Sequence, residues 1–204
     1  MKLMHDPAQL IAFVTFAAVV AGTPGPSNVL LTAIGARAGF RHGLPSLLGQ
    51  VTGMGVMLFA TTLGLGSLLL AHPLALQILR WGGAAVLCWM AWRIATAGQP
   101  EADTDAPRGF VRMAAFQWVN PKGWLIGVTA IATFLDRRGG GALAQAAVLA
   151  TVFTLVALPA CLPWLGFGAA LQRFLRTPRA WHILNGAMAA LLVAATILFD
   201  LCTY

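Results

Sequence analysis

Six long apolar segments run through this chain of 204 residues and constrain its fold more than any other feature. A helix needs about 20 mostly apolar residues to cross a bilayer. Backbone amides in hydrocarbon can pair only within a helix or a closed barrel, and the alternating strands of a barrel are absent from the sequence. We therefore predict an all-α integral membrane protein whose six transmembrane helices lie at residues 8–36, 44–70, 74–96, 110–135, 142–171 and 181–199.

The charge content agrees with this class of protein. Only 9% of the residues are charged, against roughly 25% in soluble domains, so the chain lacks the charge to cover a surface in water. The high apolar content also excludes disorder. A net charge of +7 comes from basic residues scattered between apolar segments. Since these residues form no basic face, the partner is the lipid bilayer and not nucleic acid.

One connection is long and polar, residues 97–109 (AGQPEADTDAPRG). It divides a single membrane domain, 1–204, into three-helix repeats at 1–96 and 110–204. The side that carries this linker holds most of the basic residues, so we expect it to be cytoplasmic and both termini to lie outside. The arginines on that side are Arg37, Arg41, Arg93, Arg108, Arg112, Arg173, Arg176 and Arg179.

The two halves resemble one another weakly. A shift of 97 positions aligns Pro24 with Pro121 and residues 32–34 with residues 129–131. Because each half holds an odd number of spans, the second half enters the membrane from the opposite face, which gives an inverted-topology repeat. Coincidence between two apolar stretches is the alternative.

The first helix is predicted to be interrupted at Gly22–Asn28. Pro24 and Pro26 remove two backbone donors, and Gly25 between them favours non-helical angles. Ser27 and Asn28 are expected to cap the helix that restarts toward Ile34. Backbone groups freed at membrane depth are tolerated only inside protein or along a wet cavity.

The fourth helix is predicted to be interrupted at Gln117–Gly123. Asn120 can cap a new helix, and Pro121 suits its first position. Free amides at its amino end and the ammonium of Lys122 predict a carboxylate site. The alternatives are that both prolines only shape packing, and that Lys122 extends to the membrane interface.

Weaker features lie in the second and fifth segments. Gly49 and Gly53 have the spacing that allows close helix packing, and Gln50 is a polar residue able to line a cavity. Pro159 and Pro163 are expected to bend the fifth helix.

Sites for enzymatic chemistry are absent from the pattern. The three cysteines form no CxxC pair and are expected to be small apolar fillers. All six acidic residues lie outside the predicted spans or at their edges, so we expect no catalytic residue, no metal site and no cofactor. These acidic residues are Asp6, Glu101, Asp103, Asp105, Asp136 and Asp200.

The motifs at the two breaks resemble those of a known family. TPGPSN at residues 23–28, the glycine- and arginine-rich stretch at 35–43 and NPKG at 120–123 are similar to those of the lysine exporter family, the LysE/RhtB translocators. The resemblance covers nearly the whole chain and implies a multi-pass exporter of amino acids or close derivatives in the bacterial inner membrane, driven by the proton gradient. A monomer and a homodimer both remain open.

The resemblance implies a substrate site built from both breaks, and the breaks themselves add neighbouring polar side chains. Members of the family often carry an aspartate where this chain has Ser27, so we expect neutral substrates rather than basic ones. A scaffold protein without transport and a membrane-embedded redox carrier are the alternatives. The predicted substrate-binding residues are Thr23, Pro24, Gly25, Pro26, Ser27, Asn28, Gln117, Asn120, Pro121 and Lys122.

Overall fold

The computed structural model describes residues 6–98, 109–136 and 141–202, and these ranges are helical without a strand. This confirms the predicted all-α class. Most of the predicted linker, residues 99–108, lies outside the described residues, and Arg108 lies there with it. The helices are α1 (Pro7–Gly22), α2 (Pro26–Ala60), α3 (Gly66–Ala71), α4 (Pro73–Thr96), α5 (Phe110–Val119), α6 (Pro121–Phe134), α7 (Ala142–Leu171) and α8 (Pro178–Cys202).

Helix α2 contains parts of the first two predicted spans. A helix of its length rises about 1.5 Å per residue and would exceed the hydrocarbon thickness of roughly 30 Å. Helix α2 is not one continuous span, because Gly39, with a φ of 77° and a ψ of 174°, divides it into residues 26–38 and residues 40–60. A positive φ is accessible to glycine at little cost. The first and second predicted spans therefore separate at Gly39.

Both predicted interruptions are present. Helix α1 ends at Gly22, Thr23 and Gly25 have extended backbone angles, and α2 begins at Pro26. Asn120 is extended between α5 and α6. The two helices that the breaks divide are therefore short pieces in the structure.

Three helical stretches of the described chain are long and apolar enough to cross a membrane by themselves, and α1 is a shorter apolar helix. The total of six spans stays a prediction, since α5 and α6 are individually too short and the 24-residue α4 is not among the three stretches. The three stretches are Pro26–Leu68, Ala142–Phe174 and Pro178–Ile197.

The second predicted span carries a distortion that the sequence analysis did not predict. A π-helical turn, Thr61–Leu65, follows α2, and Gly64 within it has a φ of 125°. In contrast, α7 continues as one helix through Pro159 and Pro163.

Helix α2 packs closely against α7 on one side and α5 on another. Gly35 on α2 approaches the backbone of α7, and Gly168 on α7 approaches the carbonyl of Thr32. Gly49 approaches the backbone of Phe110 in the same way. These close approaches confirm that Gly49 is a packing residue, and they hold α2, α5 and α7 around a common core.

Gly53 offers a direct test of this packing. A Cβ atom there would lie 2.7 Å from Cα of Ala114, a backbone atom that cannot move alone. We expect Gly53→Ala to lower the free energy of unfolding by about 1–3 kcal/mol, the usual cost of overpacking. Thermal unfolding of the purified protein in detergent measures this.

The matched control is Gly166→Ala, because Gly166 also lies within a helix and has open space around its Cβ position. This substitution should leave stability unchanged or raise it by up to about 1 kcal/mol. Equal destabilisation by both variants would contradict the role of Gly53 in packing.

Candidate functional site

The first break removes helical partners from the end of α1. In an α-helix each carbonyl accepts a hydrogen bond from the amide four residues later. Pro24 and Pro26 have no N–H, so the carbonyls of Val20 and Gly22 lose their helical donors. Such groups need other partners within a bilayer.

Side chains from other parts of the chain supply donors to the carbonyl of Gly22 and to the neighbouring carbonyls of Ala21 and Thr23. Asn28 Nδ2 donates to the carbonyl oxygens of Ala21, at 2.7 Å, and Thr23, at 3.0 Å. Trp164 Nε1 on α7 donates to the carbonyl of Gly22 at 3.0 Å. The break is therefore stabilised by its own second half and by α7.

Lys122 reaches the first break from the second. Its Nζ donates to the carbonyl of Thr23 at 2.9 Å, and the side chain is half-buried. A Cβ atom at Gly25 would lie 2.9 Å from Lys122 Cδ, so a glycine at this position makes room for the lysine. The ammonium thus lies between the two breaks and not at a distant helix end.

The second break is built around Asn120. Its Oδ1 accepts from the backbone amide of Lys122 at 3.2 Å, which confirms the predicted cap, and Pro121 occupies the first helical position as predicted. The amide of Gly123 donates to the carbonyl of Asn120 at 3.0 Å. The prediction of free amides is wrong for these two positions, so the Lys122 ammonium is the group left to meet an anion.

Ser27 joins the two breaks directly. Asn120 Nδ2 donates to Ser27 Oγ at 2.8 Å, and Ser27 Oγ donates to Gln117 Oε1 at 3.0 Å. Gln117 Nε2 donates to the carbonyl of Met113 on its own helix at 2.9 Å. The three side chains are nearly fully buried, so their hydrogen bonds link the halves of the chain in a water-poor environment.

The predicted capping role of Ser27 and Asn28 is wrong. Helix α2 begins at Pro26 with Gly25 as its N-cap, and this cap makes no side-chain hydrogen bond. Ser27 and Asn28 are already inside the first turn. Their side chains are free to point away from their own amides, toward α5, α6 and the end of α1.

The structure brings the predicted site residues together, and these residues differ in their exposure to solvent. Thr23 and Pro24 are exposed at the rim, Lys122 is half-buried, and the other predicted residues are buried. The buried members are Gly25, Pro26, Ser27, Asn28, Gln117, Asn120 and Pro121.

Two further residues belong to this site. Gln50 Nε2 donates to Asn28 Oδ1 at 2.9 Å and to Cys161 Sγ at 3.4 Å. Cys161 Sγ lies 3.5 Å from the carbonyl of Ala21, so the thiol is a polar contact and not only an apolar filler. Gln50 was recognisable as a polar residue in an apolar span, whereas nothing in the sequence pattern indicated the polar contacts of Cys161.

We call Ser27, Asn28, Gln50, Gln117, Asn120 and Lys122 the polar cluster. A narrow cleft of about 10 Å³ lies within it, between the end of α1 and the start of α6. This is near the volume that one water molecule needs. Small-molecule pockets occupy about 300–1,000 Å³, so a solute can bind here only if the cleft widens.

A larger cavity of about 510 Å³ lies between α2, α4 and the start of α5. Arg37, Arg93 and Arg112 line it, together with Leu30 and Ile34 of α2. We call it the arginine cavity. All three arginines lie on the side predicted to be cytoplasmic.

The arginine cavity approaches the polar cluster along one face of α2. Ser27, Leu30, Ile34 and Arg37 follow the helical spacing that places residues on a common face. Leu30 lines the cavity and lies one turn, roughly 4.5 Å of helix axis, from Ser27. The cavity therefore ends about one helical turn from the cluster.

The chemistry of the site is that of binding. In the described ranges, no group of three or more His, Cys, Asp or Glu side chains is placed to hold a metal ion. The polar cluster contains one cationic group, four amides and one hydroxyl, with no carboxylate. It can hold a small polar solute whose own carboxylate and hydrogen-bonding groups contact these side chains.

Helices that are broken beside one another around buried polar groups are the architecture of a secondary transporter. The sequence match agrees: the model of the LysE type translocator family matches residues 18–200. The chain belongs to the LysE type translocator family. It is a multi-pass efflux transporter of the bacterial inner membrane for amino acids or close derivatives and not an enzyme, as the sequence predicted.

Curated relatives support this membership. The chain is 40% identical over 131 residues to the cysteine/O-acetylserine efflux protein of Escherichia coli strain K12, a match that covers 63% of this chain and 67% of the relative. The protein of the same name from Salmonella typhimurium strain LT2 is 38% identical over 132 residues, with the same coverage. No solved structure matches the chain significantly.

The link between the breaks can be measured by a double-mutant cycle. We expect Ser27→Ala and Asn120→Ala to be non-additive by about 0.6–1.7 kcal/mol, the range of hydrogen bonds between membrane helices. Unfolding of the two single variants and the double variant in detergent gives this coupling energy.

Thr96→Ala combined with Asn120→Ala is the control pair. The Thr96 hydroxyl donates to the carbonyl of Trp92 at 2.8 Å, at the end of α4, and shares no partner with Asn120. These two substitutions should be additive. Additivity of the Ser27 and Asn120 pair as well would show that their contact contributes nothing.

Proposed function

We propose that this protein exports small neutral amino acids or their close derivatives, and that both broken helices form the substrate site. The observation that carries the proposal is the Lys122 ammonium at the carbonyl of Thr23, inside a polar cluster without a carboxylate. The relatives named for efflux of cysteine and O-acetylserine support a substrate of this size and charge.

The ammonium of Lys122 is the proposed partner of the substrate carboxylate. A hydrogen bond between two ionised groups is roughly twice as strong as one with a neutral partner. A carboxylate would therefore compete effectively with the Thr23 carbonyl for Lys122. Because that contact joins the two halves of the chain, its exchange for substrate loosens their connection at the moment of binding.

The same charges explain the preference for neutral substrates. A lysine or arginine substrate would bring a second cation close to Lys122, and the cluster offers no carboxylate to neutralise it. Burial of an unpaired charge is costly. A zwitterion brings one charge of each sign and leaves no excess.

Alternating access is proposed to come from the halves 1–96 and 110–204 moving against each other as an inverted repeat within one membrane domain, with linker 97–109 in the cytoplasm. Both broken helices restart with proline at the first position, Pro26 and Pro121, which supports this symmetry. The structural correspondence pairs Pro121 with Pro26, two residues from the Pro24 of the sequence alignment.

The arginine cavity is the proposed approach from the cytoplasm. Clefts lined by one sign of charge raise the local concentration of the opposite ion. Arg37, Arg93 and Arg112 would thus attract substrate carboxylates to within a helical turn of the cluster. Two further parts of the proposal are proton coupling and a homodimer. Transport with an imposed pH gradient tests the coupling, and light scattering in detergent tests the homodimer.

The substrate preference is tested by transport into proteoliposomes with an imposed pH gradient. We expect cysteine, O-acetylserine and threonine to be transported faster than lysine, because the cluster cannot neutralise a second cation. Faster transport of lysine than of all three neutral amino acids would refute the preference. Equal rates with and without the gradient would refute proton coupling.

The role of Lys122 is tested by Lys122→Met, which keeps much of the side-chain length and removes the charge. A hydrogen bond between charged groups contributes about 1.5–3 kcal/mol, so we expect transport of cysteine to fall roughly 10- to 100-fold. Arg173→Met is the control, since Arg173 is exposed near the end of α7 and lies outside both cavities. Unchanged transport by a correctly inserted Lys122→Met protein would show that Lys122 does not hold the substrate carboxylate.

A further inference from the structure

Gln50 carries a buried acceptor that the protein does not use. The side chain is 1% exposed, and its Oε1 has no hydrogen-bond partner. Among the buried side-chain nitrogen and oxygen atoms of residues 6–98, 109–136 and 141–202, it is the one that lacks a hydrogen-bond partner. An unsatisfied buried polar atom costs about 1–3 kcal/mol, so its presence calls for a physical reason.

The orientation of the Gln50 amide follows from the first break. Asn28 Nδ2 donates to the carbonyls of Ala21 and Thr23, which fixes the Asn28 amide with Oδ1 toward Gln50. Gln50 must then present its NH₂ group to Asn28, because the reverse orientation would oppose two oxygens. That NH₂ group also meets Cys161 Sγ. The atom left unpaired is therefore an acceptor.

The residue that carries this acceptor lines the narrow cleft of the polar cluster. Gln50 lines the cleft together with Gly25, Ser27, Asn120 and Lys122. The residues that line one cleft thus carry a cationic donor, the Lys122 ammonium, and a neutral acceptor that lacks a donor, Gln50 Oε1. An α-amino acid carries the complementary pair, since its carboxylate and its ammonium are attached to the same carbon atom.

We propose that Gln50 Oε1 accepts a hydrogen bond from the α-ammonium of the substrate while Lys122 holds the carboxylate. This assignment rests on the proposed export of amino acids and makes Gln50 a specificity-determining residue for it. A neutral amide oxygen in place of a carboxylate binds a single ammonium without adding a negative charge. It thereby favours amino acids over the same acids without an amino group.

The test compares cysteine with 3-mercaptopropionate, which is cysteine without its amino group. Both compounds compete with labelled cysteine for transport into proteoliposomes under reducing conditions. The half-inhibitory concentration of 3-mercaptopropionate divided by that of cysteine measures recognition of the ammonium. We expect Gln50→Met to reduce this ratio at least about 10-fold, because it removes the acceptor. Inhibition by 3-mercaptopropionate should change less than twofold.

Two further variants separate recognition from a structural effect. Gln50→Glu keeps the side-chain length and the acceptor but loses the NH₂ donor to Asn28 Oδ1. Loss of that donor should weaken both compounds equally, so the ratio should stay at the wild-type value or rise. Gln145→Met replaces another buried glutamine, whose amide bonds the backbone of Asp136 outside the cluster, and should leave the ratio unchanged.

The outcomes distinguish this inference from the proposed function. If wild-type protein transports none of the tested amino acids, the proposed function fails and this inference fails with it. If wild-type protein transports cysteine but Gln50→Met has the wild-type ratio, even with both compounds weakened, then only the assignment of Gln50 is wrong and the proposed function stands. If size-exclusion chromatography shows that Gln50→Met does not fold, Gln50→Glu decides instead. A Gln50→Glu ratio below the wild-type value overturns the assignment of Gln50.

Discussion

The structure depends on how the backbone carbonyls at the end of α1 are satisfied. An unpaired backbone group in hydrocarbon costs several kcal/mol, so a double proline interruption can persist only if other groups supply donors. Asn28, Trp164 and Lys122 do so from three different helices. The break imposed by the prolines is therefore stabilised by tertiary packing, and it is at the same time the reason that polar side chains gather at this depth.

Close helix packing makes these hydrogen bonds possible. Gly35 and Gly168 bring α2 and α7 together, which lets Trp164 reach Gly22. Gly25 leaves room for the side chain of Lys122 beside the first break. Small residues thus set distances between helices, and those distances decide which donors meet which carbonyls.

The electrostatic character of the cluster depends on the neutral side chain at position 27. The hydroxyl of Ser27 bonds Gln117 and Asn120 without adding charge. Lys122 is then the one formal charge in the cluster. A site with one cation and neutral hydrogen-bonding groups suits a zwitterion, whose own charges cancel.

The sequence by itself determined the membrane class, the interruptions at residues 22–28 and 117–123, the Asn120 cap and the position of Pro121. These features are local: apolar length, missing proline donors and capping chemistry act within a few residues. It also predicted the efflux family, because TPGPSN and NPKG are contiguous motifs. The same local reasoning gave Ser27 and Asn28 capping roles that they do not have.

Only the tertiary structure decided which groups meet across the breaks. Lys122 lies 99 positions from the carbonyl it binds, and Cys161 lies 111 positions from Gln50. Such contacts depend on helix spacing and rotation, which no short stretch of sequence encodes. The free acceptor on Gln50 is the clearest case. Its direction is set by Asn28, whose own amide is fixed by the carbonyls of Ala21 and Thr23 at the first break.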